Sequence, residues 1–274
     1  MDHPHLPRLV AVTGASGHLG ATVVRALVAR GDRVRALILD GDDAGLAGLP
    51  IERVAGSVTD PAAVGRLVAG VDRVYHLAAL ISIDPADDAR VHATNVGGAR
   101  TVVAACRAAG VPRLVHVSSV HALASAPERE PVTEDRPLAD GPGLPAYDAS
   151  KSAAERIVRD AIEDGLDAVI VNPTGIIGPD DPRPSHMGEA LLGMATGRMP
   201  GTTISSLSPS RSRIASASRP DDTTPSQPIS SARLARDSTT SRAAAWKPRS
   251  FRSPSSRLVS TVTASTLISP FSAQ

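Results

Sequence analysis

Thr13-Gly14-Ala15-Ser16-Gly17-His18-Leu19-Gly20 follows the apolar run Leu9-Val10-Ala11-Val12 and leads directly into a helical pattern. Glycines between a strand and a helix let backbone N–H groups approach a pyrophosphate, and the N-terminal end of the helix favours its negative charge. A structural turn could use one or two glycines, but the strand before, the helix after and the position at the first crossover favour a phosphate loop. This stretch therefore predicts an α/β fold that binds a dinucleotide.

The chain around this loop alternates short β-branched runs with longer helical patterns, which is typical of βαβ units around a parallel sheet. The pattern predicts a Rossmann-type, doubly wound parallel sheet, and the continuous apolar first run indicates a strand that is buried on both faces. The predicted strands are residues 8–13, 33–39, 51–55, 73–76, 114–118 and 168–171, and the predicted helices are residues 19–30, 61–69, 86–109, 149–164 and 186–197.

The composition changes abruptly near residue 200. Residues 1–200 hold 19 Lys and Arg against 25 Asp and Glu, whereas residues 201–274 hold 10 against 3. Ser, Thr, Pro and Arg make up 45 of those last 74 residues, without a sustained helical or alternating pattern, which is typical of a disordered segment. We therefore expect a dinucleotide-binding domain in residues 1–200 and a basic, disordered tail in residues 201–274.

The composition also excludes several classes of protein. The single cysteine, Cys106, allows neither an intrachain disulfide nor a cysteine-based metal site, fits a reducing cytoplasm, and is expected to be a small core residue. The eight histidines lack the spacing of helical metal ligands, so we expect no metal site. No apolar run approaches the roughly 18 residues of a membrane span, the first residues do not resemble a signal peptide, and the tail lacks the aromatic platform of nucleic-acid-binding surfaces. We therefore expect a cytoplasmic protein without a nucleic-acid or membrane partner.

The end of the second strand bears on the choice of dinucleotide. A carboxylate there can accept hydrogen bonds from both hydroxyls of the adenosine ribose, whereas an arginine would contact a 2′-phosphate. The chain reads Leu39-Asp40-Gly41-Asp42-Asp43, without an arginine, although three aspartates could equally form a solvated turn. Asp40 therefore favours NAD as the cofactor and leaves NADP open.

Tyr147 and Lys151 lie four residues apart at the start of a predicted helix, and therefore on one face of it. A nearby ammonium lowers the pKa of a phenol from about 10 toward the range in which acid/base work is efficient at neutral pH. On an exposed helix such a pair could lack a function, but Lys151 is the only lysine in residues 1–200 and Tyr147 is one of two aromatic residues there. The pair is therefore a candidate catalytic acid/base.

Two serines, Ser118 and Ser119, end the fifth predicted strand. Ligands of open α/β sheets bind at the carboxyl ends of the strands, where a hydroxyl can hydrogen-bond the oxygen of a substrate carbonyl or alcohol. An ordinary pair of strand-ending serines is the alternative, which the nearby Y-x-x-x-K pattern makes less attractive. Either serine could orient a substrate at this edge.

The spacing G-x-x-G-x-x-G, the motif Y-x-x-x-K and the stretch VHVSSVHAL together resemble the extended branch of the short-chain dehydrogenase/reductase superfamily, the NAD-dependent epimerase/dehydratase family. VSSVHAL, VNPTGIIGPDDPRPSHMGEALL and GRMP are most similar to its dihydroflavonol-reductase-like and 3β-hydroxysteroid-dehydrogenase-like members. The resemblance covers about residues 8–200. It matches the active-site serine of the family to Ser119, with Ser118 as the alternative.

The resemblance also implies a reaction. A hydride would pass between nicotinamide C4 and a secondary alcohol or ketone carbon of a small-molecule substrate, in a nucleotide sugar, a flavonoid-like ketone or a sterol-like alcohol. Tyr147 would move the hydroxyl proton, Lys151 would lower the tyrosine pKa and hold the nicotinamide ribose, and Ser119 would orient the oxygen. Asn95 would assist a proton relay through water, His121 would line the substrate pocket, and a homodimer is left open.

The implied cofactor contacts follow the same motifs, including the segment Tyr75–Ala79 after the fourth strand. Ser57 stands where family members often place an acidic residue, which puts the adenine contact in doubt. The implied contacts are Gly14, Ser16, Gly17, His18, Leu19, Gly20, Asp40, Ser57, Val58, Leu77, Ala78, Ala79, Asn95, Lys151 and Pro173.

The resemblance ends near Pro200. Family members continue with another strand, a helix and a small C-terminal lobe over the substrate, and we expect this lobe to be absent or replaced by the tail. In an Arg- and Ala-rich chain, a sudden change to Ser, Arg, Pro and Thr is what an out-of-frame reading of the gene would produce. We therefore hypothesise a frameshift near residues 200–205. The alternative is that the tail is a genuine extension. Two functions are thus open, an NAD(P)-dependent oxidoreductase or epimerase, and a dinucleotide-binding protein without catalysis, either a redox sensor or a damaged gene product.

Overall fold

A computed structural model describes residues 6–39, 41–133, 135–178, 181 and 185–198 of the chain. Asp40 and the predicted tail, residues 201–274, lie outside the described residues. Within the described ranges, six parallel strands form one sheet in the order β3-β2-β1-β4-β5-β6, which confirms the predicted Rossmann-type arrangement. The strands are β1 (Leu9–Thr13), β2 (Arg33–Ile38), β3 (Glu52–Ala55), β4 (Arg73–His76), β5 (Leu114–Val117) and β6 (Ala168–Val171).

Helices connect successive strands except β2 and β3, as the predicted elements indicate. No helix within the described ranges is long and apolar enough to cross a membrane. Three-residue 3₁₀ turns at Ala44–Leu46, Pro85–Asp87 and Val120–Ala122 were not predicted. The α-helices are α1 (His18–Ala29), α2 (Pro61–Val68), α3 (Asp88–His92), α4 (Gly98–Ala108), α5 (Ala146–Glu163) and α6 (His186–Ala195).

The two faces of the sheet carry separate apolar cores because side chains alternate along each strand. In β1, Val10 and Val12 belong to a core that includes the buried face of α1, whereas Ala11 belongs to a larger core built with α2, α4 and α5. Cys106 of α4 is fully buried in this larger core, as expected, and burial raises its pKa to about 12. The central strand is therefore buried on both faces, which confirms the interpretation of its apolar run.

The long helix predicted for residues 86–109 is interrupted in the structure. Between α3 and α4 the chain makes a π-helical turn, Ala93–Gly97, which holds Asn95. The Asn95 side chain accepts a hydrogen bond from the Leu80 N–H at 2.8 Å and donates to the Leu80 carbonyl at 3.0 Å and to Ser150 Oγ at 2.9 Å. A π turn of this kind often marks a functional region, and here it lets one amide join α5 to the loop after β4.

The carboxyl ends of the strands collect the segments that the motifs identified. β1 and β4 are neighbours in the sheet, and their crossover connections leave in opposite directions, which creates a crevice at this edge. The phosphate loop follows β1, and Ser118 and Ser119 follow β5, the next strand along. The fold therefore brings the predicted cofactor loop and the predicted catalytic segment to one edge of the sheet.

Candidate functional site

Two glycines of the phosphate loop, Gly14 and Gly20, could not be replaced by another residue without a clash. Gly14 has a φ of +67°, and a Cβ there would lie 2.6 Å from the backbone nitrogen of Ala78. A Cβ on Gly20 would lie 1.9 Å from the carbonyl oxygen of Gly14, well inside van der Waals contact. The loop therefore folds tightly onto the start of α1 and onto the segment after β4.

The start of α1 fits a phosphate group. Among the described residues, no side chain caps the helix at Gly17, and the first N–H groups of a helix have no partners within it. These N–H groups and the positive end of the helix dipole form an anion site, which a small residue at the cap leaves accessible. The residues present thus fit the pyrophosphate of a dinucleotide, as the sequence predicted for Gly14–Gly20.

We expect Gly20→Ala to weaken NADH binding by about tenfold or more, because the added methyl group must displace the Gly14 backbone. NADH fluorescence titration measures the dissociation constant. Gly65→Ala in α2 is the matched control, since a Cβ there meets nothing within 4 Å; it should leave binding unchanged and add about 0.5–1 kcal/mol to the stability. Equal NADH affinity for Gly20→Ala and the wild type would contradict the assignment of this loop.

The structure brings Ser119, Tyr147 and Lys151 together beyond the end of β5. Ser119 caps the 3₁₀ turn Val120–Ala122, and its hydroxyl interacts with the phenol of Tyr147. Lys151, one turn after Tyr147 on α5, is buried and donates from Nζ to the carbonyl oxygen of Val117 at 2.9 Å. A hydroxyl, a phenol and an ammonium therefore lie within one small region of the crevice.

The pKa values at this site differ in part from the sequence-based expectation. Burial raises the pKa of Tyr147, and the hydrogen bond from Ser119 offsets only part of this rise. The ammonium of Lys151 is directed to the Val117 carbonyl and is not among the groups that shift the pKa of Tyr147 here, so its lowering of that pKa stays a prediction. Burial also lowers the pKa of Lys151 to about 8, while the charge of Glu155 acts in the opposite direction.

Glu155 is the centre of a buried hydrogen-bond network below the site. Its side chain is fully buried in α5, and Oε2 accepts from Ser118 Oγ at 2.6 Å and from Asn172 Nδ2 at 2.7 Å. Oε1 accepts from Nε and Nη2 of Arg159 at 2.9 and 2.6 Å. Asn172 also donates to the carbonyl oxygen of Ser119 at 3.0 Å. One carboxylate thus ties the ends of β5 and β6 to α5.

This network distinguishes the two candidate serines. The Ser118 hydroxyl is buried and donates to Glu155, so it is directed into the protein. The Ser119 hydroxyl instead contacts Tyr147 and accepts from the His121 N–H at 3.2 Å. The geometry therefore favours Ser119 over Ser118 as the serine that could contact a substrate oxygen.

Two buried histidines lie beside this network. Nδ1 of His76, in β4, lies 2.7 Å from Oγ1 of Thr13. The centroid of the His76 ring is 5.1 Å from that of the His116 ring in β5. Burial, followed by the charge of Lys151, lowers the pKa of His76 to about 3. Burial, then the neighbouring His76 and Lys151, also lowers the pKa of His116. Both rings are therefore neutral at physiological pH, and Lys151 is the positive charge at this point.

The other predicted cofactor contacts are spread along the same edge. Asn95 is occupied by Leu80 and Ser150, so its direct role here is to hold these two segments. The Pro173 carbonyl accepts from the Val120 N–H at 3.1 Å, next to the serine segment. Ser57 and Val58 follow the edge strand β3, where Ser57 Oγ bonds Thr59 Oγ1 and Val58 is buried against α4.

One contact of the loop segments was not predicted. His18 Nδ1, at the first residue of α1, lies 3.8 Å from Asp181 Oδ2 in the segment after β6. Within the described ranges, no group of three or more His, Cys, Asp or Glu side chains is placed to hold a metal ion. Asp40, the predicted ribose contact, lies outside the described residues, so the preference for NAD over NADP stays a prediction.

Sequence reasoning missed Glu155 and the pair His121–Asp148. Glu155 lies four residues after Lys151 and therefore on the same face of α5. A second charged residue on a face that must pack against the sheet could have indicated a buried, hydrogen-bonded carboxylate. His121 was expected to line the substrate pocket, but its ion pair with Asp148, 3.1 Å between Nδ1 and Oδ1, joins two segments that the sequence does not connect.

A protein-family model described as the NAD dependent epimerase/dehydratase family matches residues 10–216. The chain is 42% identical over 195 residues to sterol demethylase protein B of Methylococcus capsulatus, covering 69% of this chain and 57% of that protein. It is 40% identical over 171 residues to a 4-hydroxy-2-methyl-3-oxo-4-farnesyl-3,4-dihydroquinoline-1-oxide ketoreductase of Stigmatella aurantiaca, covering 62% and 51%. The chain therefore spans little more than half the length of these relatives.

Dihydroflavonol-reductase-like and 3β-hydroxysteroid-dehydrogenase-like proteins are both among the relatives, as the motifs indicated. Among solved structures, the fold is similar to the enzyme WbmH of Bordetella bronchiseptica in complex with NAD⁺, with a TM-score of 0.60 and 28% identity. That match covers 70% of this chain and 64% of WbmH. The family match at residues 10–216 contains the phosphate loop, Ser119, Tyr147 and Lys151.

Proposed function

The chain belongs to the NAD-dependent epimerase/dehydratase family, and on that premise we propose that it is an NAD-dependent oxidoreductase acting at a secondary alcohol or ketone carbon. The observation that carries the proposal is the grouping of Ser119, Tyr147 and Lys151 beside a phosphate loop that fits a dinucleotide. Epimerisation, which would oxidise and reduce the same carbon in turn, uses the same groups. The reaction class therefore follows from the site and from the family together.

Each of the three side chains has a distinct part in the proposed reaction. The bound dinucleotide would supply or accept the hydride at its nicotinamide ring. Ser119 would donate a hydrogen bond to the substrate oxygen, and Tyr147 would transfer a proton to or from that same oxygen. Lys151 would place a positive charge near the ribose hydroxyls, because its Nζ carries three donors and only one is needed by Val117.

The raised pKa of Tyr147 keeps its phenol protonated at neutral pH. A phenol that stays protonated at neutral pH can donate a proton to the oxygen of a ketone as the carbon is reduced. Alcohol oxidation requires the opposite, a phenolate that accepts the proton. Tyr147 is therefore in the protonated form from which it could donate to a ketone oxygen at neutral pH.

The surface around the site supports an apolar substrate. Large apolar side chains are exposed in the segments that follow β4 and β6, where a substrate would approach the crevice. The two relatives named above act, by their names, in sterol demethylation and on a farnesylated quinoline. We therefore propose a lipophilic alcohol or ketone in preference to a nucleotide sugar. The exposed residues are Ile81, Ile83, Ile176 and Ile177.

Deuterium transfer tests this proposal. With NADH deuterated at C4 and a lipophilic ketone such as a 3-oxosteroid, the alcohol product should carry deuterium at the carbinol carbon. Mass spectrometry measures the label, and the Gly20→Ala chain is the control because its cofactor loop is disrupted. If the wild type binds NADH yet transfers no deuterium to any ketone or nucleotide sugar offered, the oxidoreductase proposal is wrong.

The second candidate function is a dinucleotide-binding protein without catalysis. It is supported by the match to little more than half of the relatives' length and by the exposed apolar side chains beside the site. NADH binding without deuterium transfer is the result that would favour it. Translation of the other two reading frames of the gene tests the frameshift proposed near residues 200–205.

The cytoplasmic location and the homodimer stay predictions.

A further inference from the structure

A histidine–aspartate pair lies next to the proposed proton donor. His121 belongs to the 3₁₀ turn that Ser119 caps, and its Nδ1 is 3.1 Å from Oδ1 of Asp148, the residue that follows Tyr147 on α5. The His121 ring stands edge-on to the ring of Tyr147, with 5.9 Å between the centroids. The pair therefore borders the position that a reacting oxygen would occupy.

One nitrogen of His121 is available to a ligand. A carboxylate can only accept, so Nδ1 carries the proton that Asp148 binds, and Nε2 is left for a different partner. The His121 side chain is 40% exposed and the Asp148 side chain 22%, so part of the imidazole is accessible to solvent. This exposure distinguishes it from the buried rings of His76 and His116.

Asp148 also favours the charged form of the imidazole. Its hydrogen bond, opposed by partial burial, raises the pKa of His121. The other ionisable groups of α5 near this turn are Tyr147, Lys151 and Glu155; Lys151 donates to Val117, and Glu155 is bound by Arg159 and two neutral donors. Among the described residues, a protonated His121 is therefore an exposed positive charge beside Tyr147.

We propose that His121, held by Asp148, binds a carboxylate or similar oxyanion of the substrate next to its reacting carbon. The inference rests on the proposed function, because the reacting oxygen must lie at Tyr147 and Ser119. A substrate with a carbonyl or hydroxyl group and a carboxylate a few bonds away, such as a 3-oxo or 3-hydroxy acid, can reach both rings at once. The site would then prefer lipophilic 3-hydroxy acids to the corresponding esters.

Two matched ligands test this preference. 3-Hydroxyoctanoate and its methyl ester share the hydroxyl and the apolar chain and differ in the charge, so only the acid should pair with the imidazolium. NMR of the full chain, with the His121 resonance assigned by its loss in His121→Gln, should show that the acid raises the pKa of His121 and that the ester does not. We expect His121→Gln to weaken binding of the acid roughly ten- to hundredfold and to leave ester binding nearly unchanged.

Two further variants separate ligand binding from a structural role. His92→Gln changes an exposed histidine of α3 and should leave the affinities for acid and ester unchanged. Asp148→Asn should lower the pKa of His121. As the pH rises, the variant should therefore lose acid binding at a lower pH than the wild type does. Because an oxyanion needs the protonated ring, binding is strongest below the pKa of His121 and is lost as the pH rises through it.

The outcomes distinguish this inference from the proposed function. If the acid does not bind, or if His121→Gln weakens acid and ester equally, His121 is only a structural contact and the inference is wrong. If deuterium transfer to ketones occurs but shows no preference for the acids, the oxidoreductase proposal stands and the inference fails. If acid binding depends on His121 but no ketone is reduced, the oxyanion site at His121 stands, whereas its place next to a reacting carbon fails together with the oxidoreductase proposal.

Discussion

A chain that carries Glu155→Ala should lose about 3–5 kcal/mol of its free energy of unfolding. Glu155 is fully buried, and its carboxylate accepts four hydrogen bonds from Ser118, Asn172 and Arg159. Arg159 is partly exposed and can turn toward water, but the Ser118 hydroxyl and the Asn172 amide are buried and would be left without this acceptor. The loss is therefore larger than the loss of a surface ion pair.

Urea unfolding followed by circular dichroism measures the free energy of unfolding. In thermal unfolding, the melting temperature of Glu155→Ala should be lower by roughly 6–20 °C for a domain of this size. Glu163→Ala is the matched control, because it removes an exposed glutamate from the same helix and should alter the stability by at most about 0.5 kcal/mol. Glu155→Gln keeps the shape but places an amide nitrogen opposite a donor, so its cost should be intermediate. If Glu155→Ala is as stable as Glu163→Ala, the network does not hold this edge of the sheet.

The fold could be predicted from the sequence because its signals are local. The glycine loop follows a continuous apolar strand. Gly110 ends α4 with the two hydrogen bonds expected after a helix that stops at glycine: the Val111 N–H donates to the Cys106 carbonyl, and the Gly110 N–H donates to the Arg107 carbonyl. The π turn at Asn95 was missed because the side chain is held by Leu80 and Ser150, which are distant in sequence.

The candidate site was predictable in its members but not in its electrostatics. The four-residue spacing correctly places Tyr147 and Lys151 on one face of α5, but it does not show where the ammonium is directed. The ammonium of Lys151 donates a hydrogen bond to the Val117 carbonyl at the end of β5. Burial is the largest influence on the pKa of Tyr147 and raises it. The pKa depends on contacts across the fold, which a pattern along the chain does not contain.

Tyr147→Phe should lower the rate of ketone reduction by roughly 10²- to 10⁴-fold, the range that a positioned proton donor contributes. The substitution removes one oxygen atom and keeps the ring that packs against His121. NADH binding should be unchanged, because the phosphate loop is built from Gly14–Gly20 and does not involve the phenol. The measurements are single-turnover NADH oxidation at 340 nm and, separately, NADH fluorescence titration.

Tyr75→Phe is the matched control for this prediction. It removes the same atom from the other tyrosine of residues 1–200, whose hydroxyl interacts with Arg30 at the far end of α1, away from the phosphate loop. Its reduction rate should stay close to that of the wild type. A Tyr147→Phe chain that reduces ketones as fast as Tyr75→Phe would show that another group donates the proton. Loss of NADH binding in Tyr147→Phe would instead place the phenol in the cofactor site, because the proton donor in the proposed reaction acts only on the substrate oxygen.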